Sequence, residues 1–121
     1  MSHVILVVDD DPGLREAIQL VLQKEYEVVA LPDGEGFLEA VAAYHPDLIV
    51  MDAGLPGEDG WRLCRRLKGR PAFSSIPVLF LTAVGETEGL PKALEARGDG
   101  YLSKPFRAKA LLAAVRRLTR T

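Results

Sequence analysis

Short apolar runs, each stopping at a polar residue, constrain this chain more than any other feature. Val4–Val8 run into Asp9 and Asp10, Leu48–Met51 into Asp52, Val78–Leu81 into Thr82, and Tyr101-Leu102-Ser103 into Lys104. Runs so short and so apolar read as strands buried on both faces, the habit of parallel sheets. Between them apolar residues recur at helical spacing: Leu14, Ile18, Val21 and Leu22; Phe37, Leu38, Val41 and Ala42; Leu63 and Leu67; and Leu111, Leu112, Val115 and Leu118. Strands alternating with helices predict a parallel sheet covered on both faces, in the order βαβαβαβαβα. Pro12 suits a first helical turn, and Asp33-Gly34 and Pro46-Asp47 punctuate element ends. Gly85, Gly89 and Pro91 interrupt the fourth helical segment, so that helix is expected to start near Pro91, with Lys92–Ala96 as its body.

At 121 residues, 48% hydrophobic and 26% charged, the chain suits one globular domain with a single core. A net charge of -2 offers no global field for nucleic acid, so direct nucleic acid binding is not expected. Basic residues do cluster, as Arg62, Arg65, Arg66, Lys68 and Arg70 and as Arg116, Arg117 and Arg120. They read as solvated helix faces, because C-terminal helical turns favour cations. Cys64 is the single cysteine, so no internal disulfide forms. With no leader and no apolar run of membrane-spanning length, the expected compartment is the cytoplasm.

Open α/β sheets bind ligands at the C-terminal ends of their strands, where every one of these polar residues falls. In a doubly wound sheet the first and third strands flank the switch point, which places Asp9 and Asp10 beside Asp52. Carboxylates so close repel one another and raise one another's pKa unless a cation intervenes. A hard divalent ion such as Mg²⁺ relieves the conflict, whereas helix capping accounts for Asp10 or Asp11 but not for Asp52. Ala53–Gly60 then bring backbone N–H groups toward a reacting oxyanion. A carboxylate can attack phosphorus to give an aspartyl phosphate, and phosphoryl transfer asks the protein mainly for positioning and charge neutralisation. Lys104 supplies an ammonium, and Pro105 allows a tight turn with a cis bond. Thr82 either donates to a phosphoryl oxygen or simply ends its strand. Asp59-Gly60 reads as a turn, Cys64 as a packed hydrophobe, and Trp61, off the Leu63-Leu67 stripe, as partly exposed. His3 and His45 lie near element ends and suggest no catalysis.

Five segments together resemble the receiver domain of two-component response regulators: Val7–Pro12, Pro46–Asp52, Leu55–Gly60, Leu81-Thr82-Ala83 and Tyr101–Phe106. The resemblance covers the whole chain, 1–121, in order and spacing. It implies a flavodoxin-like (βα)5 fold with strand order 2-1-3-4-5. It further implies that Asp52 is the phosphoacceptor for a histidine kinase or histidine phosphotransfer protein. Asp9, Asp10, Asp52 and the backbone carbonyl of Gly54 would bind Mg²⁺. Thr82 and Lys104 would contact the phosphoryl group, and Tyr101 would turn inward with Thr82 to signal to a downstream output domain or protein. Such a domain is a switch with slow self-dephosphorylation at most, not a metabolic enzyme. Gly54 and Val84 flank the expected approach path of water, and Arg97–Gly100 depart from the usual Gly-Ala-Asp-Asp. Gly100, Ala110, Ala113 and Ala114 stand where many DNA-binding members carry the charges of a dimer face.

Other classes fit less well. A haloacid-dehalogenase-like phosphohydrolase would use Asp9 as nucleophile, but there Gly-Thr usually follows the Asp-x-Asp, and an acidic loop follows the lysine. Here Pro12-Gly13 follow, and nothing acidic comes after Lys104. A flavin module would need a Ser/Thr/Gly run after the first strand to cradle a phosphate. A receiver-like interaction module that is never phosphorylated would not need the full set of site residues present here.

Overall fold

The computed structural model describes residues 3–83 and 98–119. Five strands, β1 (Val4–Val8), β2 (Glu27–Leu31), β3 (Leu48–Asp52), β4 (Val78–Ala83) and β5 (Gly100–Lys104), form one parallel sheet in the order β2-β1-β3-β4-β5. Four helices lie among the described residues: α1 (Pro12–Leu22), α2 (Phe37–Tyr44), α3 (Gly60–Lys68) and α4 (Ala108–Thr119). The helix expected from Pro91, together with Val84 and Arg97, lies outside them.

Side-chain alternation divides the interior in two. Leu6, Val8, Ile49, Met51, Val78 and Phe80 face α2 and α3. Ile5, Val7, Leu48, Val50, Leu79 and Leu81 face α1 and α4, meeting Ile18, Leu22, Leu111 and Val115. β1, β3 and β4 are therefore covered on both faces, which is why they read as unbroken apolar runs. β2 is a half-buried edge strand beginning at Glu27, so it carries no such signature.

Four local expectations change. Trp61 is buried, not partly exposed, because α3 starts at Gly60 and turns the indole onto Phe80, with ring centroids 4.2 Å apart. Asp59-Gly60 are a helix start rather than a free turn: Asp59 Oδ1 accepts from the Arg62 N–H at 2.9 Å as the N-cap of α3. Ala42 is exposed, since the eight-residue α2 presents Phe37, Leu38 and Val41 inward. Lys68 is not on a solvated face: its ammonium is buried, donating to Ile76 O at 2.6 Å and to Asp99 Oδ2 at 2.9 Å. Arg62, Arg65, Arg66 and Arg70 are exposed as expected, and Cys64 is buried. The Lys104–Pro105 bond is cis.

Candidate functional site

Asp9 is the first residue beyond β1 and is fully buried. Its N–H donates to Leu31 O at 3.1 Å, prolonging the ladder by one bond. Oδ1 accepts the Asp11 N–H at 2.9 Å, and Oδ2 lies 3.4 Å from Lys104 Nζ. Asp11 caps α1, its Oδ1 accepting from Gly13 N and Leu14 N. The capping role thus falls to Asp11, and Asp10 is left exposed at the strand end.

Asp52 ends β3 in the middle of the sheet, its Oδ1 accepting the Gly54 N–H at 3.0 Å and lying 3.5 Å from Lys104 Nζ. Both lysine distances are long for hydrogen bonds, so the ammonium balances Asp9 and Asp52 as a charge shared between them. Gly60 lets α3 begin directly against this strand end, since a Cβ there would overlap the Asp52 carbonyl oxygen and crowd the Met51 side chain.

Asp9, Asp10 and Asp52 each offer a carboxylate oxygen within 4.8 Å of the others. Burial raises the Asp52 pKa above the ordinary carboxylate value; the Asp10 carboxyl and the Asp9 charge push it further up, while the Gly54 N–H and Lys104 pull it back. One ammonium for three carboxylates leaves net negative charge in a pocket of hard oxygen donors, which suits a small divalent cation. Among the described residues the cluster offers carboxylate oxygens and none of the soft sulfur or imidazole donors of a transition-metal site.

Thr82 lies on β4, one residue beyond Leu81, the register partner of Asp52. Its Oγ1 is buried and has no hydrogen-bond partner among the described residues. A buried hydroxyl left unpaired is costly, and a ligand oxygen is one way to complete it. Tyr101 is half-buried on the edge strand β5, opposite Phe80 in register and packed against the α3-side core. The strand ends thus bring Asp9, Asp10, Asp52, Thr82 and Lys104 to one edge of the sheet, with the Gly54 N–H on Asp52. His3 stands apart, its Nδ1 3.5 Å from Asp47, and His45 caps the C-terminus of α2.

One residue at this edge has no motif to mark it: Arg15, whose Nη1 donates to Asp9 O at 2.8 Å. The only signal in the sequence is a cation five residues after the acidic pair, on the opening of a helix.

Residues 5–116 match the family model of the response regulator receiver domain. The transcriptional regulatory protein CseB of Streptomyces avermitilis is 41% identical over 98% of this chain and 49% of that protein. The DNA-binding response regulator MtrA of Mycolicibacterium smegmatis is 42% identical over 96% of this chain and 50% of that protein. The chain thus spans about half the length of these curated relatives. Among solved structures, the BeF3-activated receiver domain of Thermotoga maritima DrrB has a TM-score of 0.88 at 32% identity, covering 100% of both chains. The chemotaxis protein CheY4 of Vibrio cholerae has a TM-score of 0.91 at 26% identity, covering 98% of this chain and 99% of that one.

Proposed function

This chain belongs to the response regulator receiver domain family, and from that membership we propose that Asp52 accepts a phosphoryl group and that residues 1–121 act as one switch. Receiver domains are generally switches rather than metabolic enzymes, and slow self-dephosphorylation is the most that is proposed here. The observation that supports the reading best is the buried Thr82 hydroxyl on the strand beside Asp52, which has no partner among the described residues.

Asp52 serves as the nucleophile, its carboxylate oxygen forming the new bond to phosphorus as the donor's oxygen or nitrogen departs. Lys104, already shared between Asp9 and Asp52, follows the charge that arrives on the phosphoryl oxygens, and the Thr82 hydroxyl donates to one of them. Asp9, Asp10, Asp52 and the Gly54 carbonyl would hold Mg²⁺, which would supply the remaining neutralisation of negative charge. Thr82 is drawn toward the phosphoryl group, and Tyr101 fills the space released, altering the surface around β5.

The donor is a histidine kinase or histidine phosphotransfer protein, and the recipient of the signal is an output domain or partner protein. MtrA is described as DNA-binding; direct contact with nucleic acid is not proposed for this chain. We place the domain in the cytoplasm; no helix among the described residues is long and apolar enough to cross a membrane.

Incubation with acetyl phosphate and Mg²⁺ tests the acceptor. Intact mass should rise by one phosphoryl group in the wild type and stay unchanged in Asp52→Asn. A label on Asp9 would favour the phosphohydrolase, and an unlabelled wild type the interaction module.

A further inference from the structure

We propose that Arg15 is a positioning residue of the metal site, acting through the backbone carbonyl of Asp9; this rests on reading Asp9, Asp10 and Asp52 as the Mg²⁺ ligands. β1 ends at Val8, so the Asp9 carbonyl leaves the sheet ladder, and Arg15 Nη1 takes it up at 2.8 Å. That carbonyl belongs to the planar Asp9–Asp10 peptide, so holding it sets the direction in which Asp10 departs.

The two ligands are held very differently. The Asp9 carboxylate is buried and held at both oxygens, Oδ1 by the Asp11 N–H and Oδ2 by the charge of Lys104 that it shares with Asp52. Asp10 is exposed and its carboxyl meets that of Asp52, a like group that repels it once both are ionised, so its aim rests on the peptide plane before it. Arg15 is itself well anchored: its N–H donates to Asp11 O at 2.9 Å, and Asp11 caps the helix that carries it. The guanidinium therefore closes a short loop, Asp9 to Arg15, around the acidic pair. A group that orients a ligand without touching the ion typically contributes about 10–100-fold to metal affinity.

Charge alone predicts the opposite sign. A cation near the pocket repels a divalent ion, so if Arg15 acted only through its charge, removing it would tighten Mg²⁺ binding. If it positions Asp10, removal weakens binding.

The experiment is a Mg²⁺ titration of the full chain, read by calorimetry and by melting temperature, beside the Mg²⁺ dependence of acetyl phosphate labelling at Asp52. Arg15→Ala should raise half-saturating Mg²⁺ about tenfold, with labelling at saturating Mg²⁺ close to wild type. Arg15→Lys, which keeps a donor and the charge, should fall between the two. Equal or tighter Mg²⁺ binding in Arg15→Ala overturns the proposal, as does a labelling defect that Mg²⁺ does not restore. Should Arg15→Ala melt below the working temperature, Arg15→Gln replaces it, and a wild-type half-saturation there overturns the proposal equally. Asp10→Ala separates the two levels. It should lose most of the Mg²⁺-dependent shift, and a full shift in that variant overturns the ligand set itself, and the role of Arg15 with it.

Discussion

Asp52, the proposed acceptor, is held by the fold in an uncomfortable state. Burial, the Asp10 carboxyl and the Asp9 charge all favour its protonated form. Its pKa is higher folded than unfolded, so the folded state binds more protons between the ordinary carboxylate pKa and the raised value. Stability therefore falls as pH rises through that interval, and the ionised carboxylate opposes folding above it. In Mg²⁺-free buffer at pH 7, Asp52→Asn should melt higher than the wild type, with a gain on the order of 1 kcal/mol, as for other relieved functional sites. The gap should close as pH drops to the ordinary carboxylate range. A lower melting temperature for the variant at pH 7 would mean that Lys104 and the Gly54 N–H outweigh burial.

Among the elements, α3 ties the sheet together at both of its ends. Its N-terminus abuts Asp52 through Gly60, and its C-terminus sends Lys68 inward to Ile76 O and Asp99. Asp99 Oδ2 also accepts the Val78 N–H, and the Asp99 N–H donates to Val78 O, both at 2.9 Å, so one carboxylate ties the starts of β4 and β5 to the helix. Breaking a buried pair from one side leaves the other charge uncompensated. The Asp99 side chain is 39% exposed, which tempers that cost. Asp99→Ala should therefore lose about 1–3 kcal/mol in urea unfolding, and Lys68→Met in the same background should recover part of it. A change below about 0.5 kcal/mol, the ordinary surface value, would show that the pair is incidental.

At the scale of the whole molecule, the same contact bears on assembly. Asp99 is committed within its own chain, Ala110 and Ala113 are exposed, and Gly100 and Ala114 are half-buried. A face without charges at these positions lacks the ion pairs that would orient a symmetric partner. Sedimentation of the phosphorylated or beryllofluoride-bound chain should thus show no tight, salt-sensitive dimer formed through β5 and α4. A dimer weakened by salt, and by a charge reversal on α4 such as Lys109→Glu, would contradict this.

A parallel sheet covered on both faces and the set of strand-end residues were legible in the sequence because buried parallel strands leave continuous apolar runs, and polar residues at their ends have few reasons to be there. The strand order came only with the family resemblance, and which helices cover which face came only with the structure. β2 was not delimited, because an edge strand buries too little to need such a run. Trp61 and Lys68 were misjudged for one reason: where a helix begins and what its ends touch are decided by distant partners, Phe80 in one case and Asp99 in the other. Arg15 was invisible, because a side chain that serves a main-chain carbonyl leaves no pattern of residue types. Periodicity and the polar residues that end each apolar run thus determined which side chains gather and at which edge of the sheet. Tertiary contacts alone decided how each carboxylate is held, since aim and burial depend on groups that the sequence keeps far apart and the fold brings together.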